Sequence, residues 1–145
     1  MTFSHLGPIR REVRVSATQQ VAFDFFTLHV GLWWPRIATH VSGTLGFVEG
    51  QLEEHGADDV YVWGEIITWN APTGFRMAWR EPQHSEEQRT NVDVAFSWDG
   101  RETTVRIVQS GWDRVPDAAA AATRAGGDRG WRTILGAFEA AVPRT

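Results

Sequence analysis

Residues 92–112 read VDVAFSWDGRETTVRIVQSGW, and the fold turns on how they alternate. Val92, Val94, Phe96 and Trp98 share one parity, while Asn91, Asp93 and Ser97 take the other. That is the period-two pattern of a strand with one apolar and one wet face. Asp99-Gly100 is a two-residue hairpin signal, so a second strand over 103–110 must return antiparallel beside the first. Gly111 then permits the turn that leads Trp112 back beneath the sheet.

Upstream of this hairpin the pattern repeats. NAPTG at 70–74 is a turn, after which Phe75, Met77 and Trp79 face one way and Arg76 and Arg80 the other. VYVWGEIITW at 60–69 is apolar on both parities, so the faces of Tyr61, Trp63 and Glu65 stay open. EGQ around Gly50 and HGADD around Gly56 divide residues 44–68 into several strands. Over 9–15, Ile9, Arg11, Val13 and Val15 alternate with Arg10, Glu12 and Arg14.

Two helical patterns flank the strands. Ser16 and Thr18 offer N-cap oxygens, and Val21, Phe25, Leu28 and Leu32 form an apolar stripe that Pro35 ends. From Pro116 and Asp117 onward, Trp131, Ile134 or Leu135, Phe138 and Val142 mark a second stripe, with Gly126 and Gly127 expected to break or kink it. The order is strand, helix, a run of five or six antiparallel strands and a long terminal helix. A sheet with one polar face must cover the other with helices, which gives a single two-layer α+β domain over 1–145.

Composition narrows the chemistry. The 145 residues are 42% hydrophobic and 22% charged, an ordinary globular balance in which eight tryptophans stand out. A chain of this size buries roughly two-thirds of its unfolded surface and needs no staple to fold. No cysteine is present, which removes thiol catalysis, thiolate ligands and disulfides. All fourteen basic residues are arginine, which removes Schiff-base chemistry and a phosphate-loop lysine. A net charge of −4 without a basic run argues against nucleic acid as a partner. There is no eighteen-residue apolar segment and no leader-like start, so no membrane span and a cytoplasmic location are expected.

The stretches VSATQQVAFDFFT (15–27), LWWP (32–35), VWGEIITWNAPTGFRMAW (62–79), residues 92–112 and GGDRGWRTILGAF (126–138) resemble a known family. They look like the bacterial domains related to the C-terminal domain of the activator of the ninety-kilodalton heat-shock chaperone's ATPase. These sit in the START-like, or Bet v 1-like (SRPBCC), superfamily, and the likeness covers residues 9–142. The resemblance implies a helix-grip fold: a curved antiparallel sheet of about six strands wrapped around a long C-terminal helix, with short helices after the first strand. An apolar cavity often lies between sheet and helix in that fold, and stress-response roles occur in the family. No catalytic set is carried over, because the superfamily shares no single chemistry. The chaperone activator has a further N-terminal domain for which this chain has no room, so a chaperone partner is not expected.

The usual signatures of chemistry are missing. His5, His29, His40, His55 and His84 lack the spacing of convergent ligands, so no metal and no cofactor are expected, and the histidines default to solvated or singly bonded groups. There is no GxSxG elbow, and GGDRG at 126–130 lacks a phosphate-loop ending. Glu49, Tyr61 and Glu65, set among apolar neighbours, are the polar candidates for an interior. A buried carboxyl could serve as an acid or base, but a place on the wet face is the commoner outcome.

The aromatic set carries most information. Phe75, Met77, Trp79, Phe96 and Trp98 share an inward parity opposite Trp131, Leu135 and Phe138. Alanines at 118–122 and 125 put small side chains on the terminal helix, which favours unfilled space; alternatively they only propagate an exposed helix. Trp33 and Trp34 point roughly 100° apart if helical, so one should close the space and the other should pack sideways or lie near its entrance. The expected wall is Trp33, Trp34, Phe75, Met77, Trp79, Phe96, Trp112, Trp131 and Leu135. The function expected is non-catalytic binding or sequestration of a small hydrophobic molecule. The alternatives are a cyclase or hydrolase using a buried Glu or Tyr, and a chaperone-interaction module. A homodimer through an edge strand or the exposed aromatic excess is compatible with the sequence.

Overall fold

The computed structural model describes residues 6–145, and their side chains except at 117–119. Seven strands form one antiparallel sheet: β1 Ile9–Val15, β2 Thr44–Val48, β3 Gln51–His55, β4 Val60–Asn70, β5 Gly74–Trp79, β6 Thr90–Trp98 and β7 Thr103–Ser110, in the order β1-β7-β6-β5-β4-β3-β2. Six strands follow the first helices, the upper count expected, because the turns at Gly50 and Gly56 both hold. Helices α1 (Gln19–Leu28) and α2 (Val30–Trp33) follow β1, and α3 (Asp117–Ala141) closes the chain. This is the helix grip. Among the described residues, no helix is long and apolar enough to cross a membrane.

The decisive hairpin pairs Phe96 with Val105 and Trp98 with Thr103. Its turn is held by Asp99 Oδ1, which accepts the N–H groups of Arg101 and Glu102 at 2.8 and 2.9 Å, while Gly100 takes φ 97°. Trp98 is an exception to the inward reading: as the last residue of β6 it lies 45% exposed, beyond the helices' cover. β4 explains its own ambiguity. Its register slips once against β3, opposite Leu52/Glu53, and once against β5, between Ile66 and Thr68. Each bulge shifts the alternation by one residue. Trp63 is therefore buried while Glu65 and Ile67 point outward.

The helices correct two readings. In α1 and α2 the buried residues are Ala22, Phe23, Phe26, Thr27, Val30 and Trp33, whereas Leu28 and Leu32 are 73% and 77% exposed. The segment carries two overlapping stripes, and the one that seats Phe23 and Phe26 against Phe75 and Phe96, with centroids 5.2 to 6.3 Å apart, wins. Thr18 caps α1 by accepting the N–H of Val21. α3 runs unbroken through Gly126 and Gly127. Gly127 is there for proximity: a Cβ would lie 3.4 Å from both Gln109 Oε1 and Ile9 Cδ1. One residue on, Asp128 takes a two-pronged bond from Arg11 of β1 at 2.7 and 2.8 Å. α3 is thus pinned toward β1, and the opposite side of the inner face, over β4 and β5, is left less covered.

Candidate functional site

That uncovered side holds a cleft of about 290 Å³. Trp63 and Trp79 form its floor, Trp34 and residues 37–39 one wall, and α3 the other, with Glu81 and Gln83 at the rim. From α3 it receives Ala122, Thr123, Gly126, Gly127, Gly130, Trp131 and Ile134.

Local rules place each wall residue. Trp79 follows Phe75 and Met77 on the inward parity of β5, and the bulge turns Trp63 inward to stack on it at 5.2 Å and 28°. Pro35 disfavours a helical backbone at the residue before it. Trp34 accordingly has ψ 125° and ends α2, so the two adjacent indoles, still in contact at 5.7 Å and 47°, take different surroundings. Trp33 is 4% exposed, packs on Phe26 and Phe138 at 4.8 and 5.2 Å, and donates its N–H to Phe25 O. Trp34 stays half-buried at the cleft and donates to Ala38 O. On α3, a Cβ at Gly130 would meet nothing within 4 Å, and one at Gly126 only Arg129 Nη2 at 3.9 Å. Packing does not require glycine at these two positions, and each costs a helix about 1 kcal/mol relative to alanine.

Buried polar groups lock the walls. Gln109, wholly buried, accepts the Trp131 indole N–H at 2.8 Å and donates to Thr90 Oγ1 at 2.8 Å. Glu54, also wholly buried, accepts the N–H groups of His40, Val41 and Gly43 and the indole N–H of Trp63, at 2.7 to 3.0 Å. Burial by itself would raise its pKa, but the four donors outweigh it and hold the carboxyl below the usual range. Glu54 thereby fastens the 40–43 loop, which carries on from the rim, to the floor. Glu81 differs. Burial pushes its carboxyl up, and a single hydrogen bond from Trp79, 3.2 Å, offsets only part of that.

Of the nine residues expected to form the wall, Trp34, Trp79 and Trp131 border the cleft. Trp33, Phe75, Met77, Phe96, Trp112 and Leu135 interlock in the core, each no more than 4% exposed. The cleft lies along α3 from Ala122 to Ile134. Of the polar candidates, Glu49 sits exposed in the β2–β3 turn at φ 47°. Glu65 is turned outward beyond the bulge, 3.5 Å from Arg89. Tyr61 is half-buried, donates its hydroxyl to Arg80 O and packs on Trp63 without lining the cleft. Glu81 was missed, although it continues the 75, 77, 79 parity. His84 is buried rather than solvated: its pKa is pushed down by burial, and Nε2 lacks a partner among the described residues. His5 lies outside the described residues, as do the side chains at 118 and 119; among those described, no group of three His, Asp or Glu could hold a metal. Another groove of about 300 Å³ lies by Phe47, Glu49, Gly50, Ile66 and Trp69, all residues of strands or their turn.

No protein-family model and no curated protein matches the chain. Solved structures do share the architecture. The self-sacrificing resistance protein CalC from Micromonospora echinospora is 24% identical, with TM-score 0.68 over 94% of each chain. The Aha1 dimer from Colwellia psychrerythraea is 14% identical, TM-score 0.69, over 94% of this chain and 96% of that one. The anthrahydroquino-γ-pyrone synthase Txn09, complexed with SUM, is 23% identical, TM-score 0.59, over 93% and 96%. At these identities the likeness establishes the START-like, Bet v 1-like fold, and it does not single out the chaperone-activator branch.

Proposed function

We propose that this chain binds a small, largely apolar molecule in the cleft between β4, β5 and α3, without transforming it. The observation that carries this is the pairing of four indoles with a helix face reduced to glycine where packing does not ask for it. About 290 Å³ is roughly ten water volumes, at the lower end for small-molecule sites, so the ligand is compact or projects past the exposed Ile37. Trp34, Trp63, Trp79, Trp131 and Ile134 supply apolar contact, and Glu81 and Gln83 orient the ligand. Sequestration, including protection from a toxic metabolite, fits such a site.

An enzymatic reading has one observation in its favour: the raised carboxyl of Glu81 faces the cleft. Acid–base work would rest on this group, since Glu49 and Glu65 are exposed and Tyr61 is turned away. A protein-interaction module would have no use for the cleft. Native mass spectrometry of gently purified protein tests the proposal: a co-purified small molecule, released on unfolding, is expected. Turnover of such a molecule, abolished in Glu81→Gln, would favour the enzyme instead.

A further inference from the structure

Each of the four indoles around the cleft has already committed its single donor: Trp34 to Ala38 O, Trp63 to Glu54, Trp79 to Glu81 and Trp131 to Gln109. A ligand therefore meets only their π faces and C–H edges. The rings also turn around the space. Trp63 stacks on Trp79 at 5.2 Å and 28°, while Trp79/Trp131 and Trp34/Trp131 stand at 50° and 89°, so the walls meet at an angle and do not form a parallel slot for a flat ring.

The charged side chain among the cleft's described lining residues is Glu81, with the Arg129 guanidinium beyond Gly126, 3.9 Å from where a Cβ would stand there. Glu81 Oε1 accepts from Trp79, and Oε2 carries no hydrogen bond among the described residues. No arginine lines the cleft, and among the described residues none pairs with Glu81; the adjacent Arg80 lies over the Tyr61 ring at 5.8 Å. Glu81 is half-buried, so its charge is only partly solvated, and a cation from outside would supply a partner for the second oxygen. Indole faces carry the negative part of a quadrupole and attract cations as well. Among side chains of the lining, Thr39 spends its hydroxyl on Arg36 O, and Gln83 and Thr123 accept as readily as they donate. A guanidinium would need acceptors for five N–H groups, and a primary ammonium for three. With Glu81, Gln83 and Thr123 the acceptors among the lining side chains and the rest of the wall largely indole and glycine, a cation with one N–H or none matches the lining better than one with three or five.

Building on the reading of the cleft as an apolar-ligand site, we propose that its ligand bears a tertiary or quaternary ammonium group. The group sits among Trp34, Trp63, Trp79 and Trp131 with Glu81 as counter-charge, and the apolar remainder of the ligand lies along Ile134 and the glycine face of α3.

The test compares two probes of one shape on the full chain, (naphthylmethyl)trimethylammonium and its uncharged carbon isostere neopentylnaphthalene, by tryptophan fluorescence and calorimetry. The cation should bind at least about tenfold tighter, the order that a desolvated cation–π contact provides. In Glu81→Gln, and separately in Trp34→Leu, the ratio between the probes should fall toward one. Equal binding of the two by the natural chain, or a preference for the isostere, would overturn the charge assignment while leaving an apolar site in place. Binding of neither would remove both.

Discussion

The indole N–H of Trp63 ends on Glu54, 3.0 Å away, a carboxylate with no exposed surface. The same group takes three backbone N–H donors from 40–43, so one side chain joins the cleft floor to the loop that follows its rim. Glu54→Ala should cost about 3 kcal/mol, the scale of stranding several buried donors. Chemical denaturation measures it; a loss within 0.5 kcal/mol, the scale of an ordinary surface change, would contradict the clamp.

The pH dependence of Glu54 follows from its lowered folded-state pKa. The stability it adds is present above the ordinary glutamate value of 4.5 and is lost as the pH falls through the lower folded value. Unfolding free energies of wild type and Glu54→Gln, measured from neutral to acid pH, should therefore converge as the pH drops. A gap that stays constant would refute the assignment.

Glu81 has the opposite sign. Its folded pKa is raised, so its contribution to stability is fully present below the ordinary value of 4.5 and is lost as the pH rises through the folded value. Glu81→Gln should thus be more stable than wild type at neutral pH, and the gain should fade in acid. A gain in stability with a loss of ligand affinity is the mark of a residue kept for binding. A variant less stable at neutral pH would show that Glu81 has a structural partner instead.

The glycines of α3 separate packing from vacancy. Gly130→Ala adds a Cβ in open space and should raise stability by about 1 kcal/mol through helix propensity. Gly127→Ala meets Gln109 and Ile9 at 3.4 Å, which offsets that gain. Thermal unfolding of the pair should rank Gly130→Ala above Gly127→Ala, and the reverse order would place the close approach elsewhere.

The adjacent tryptophans should divide their duties. Trp33→Phe, in the packed cluster with Phe26 and Phe138, should lower stability and spare affinity for an apolar probe. Trp34→Phe, at the half-buried edge, should do the reverse. Loss of affinity from the first alone would relocate the site to the core.

Much of this was legible in the sequence. Alternation over 9–15, 75–79 and 91–97 placed the strands' faces correctly, because one register without bulges links them. β4 was opaque because two bulges shift its parity, and that hid Trp63 and the outward turn of Glu65. The stripe of α1 was ambiguous because Val21/Phe25/Leu28 and Phe23/Phe26/Val30 are equally helical, and only the position of the sheet decides between them. Glu81 could have been found by extending the inward parity of β5 by one step. Glu54 could not: its four donors come from a loop and a bulged strand that no local pattern brings together.

The most direct measurement is titration of the chain and of Gly130→Leu with one apolar aromatic probe, followed by tryptophan emission and calorimetry. One saturable site should appear in the natural chain and vanish in Gly130→Leu, with the variant folded and at least as stable. Saturable binding that survives the filled cleft, or none in the natural chain, would contradict a receptor at this place.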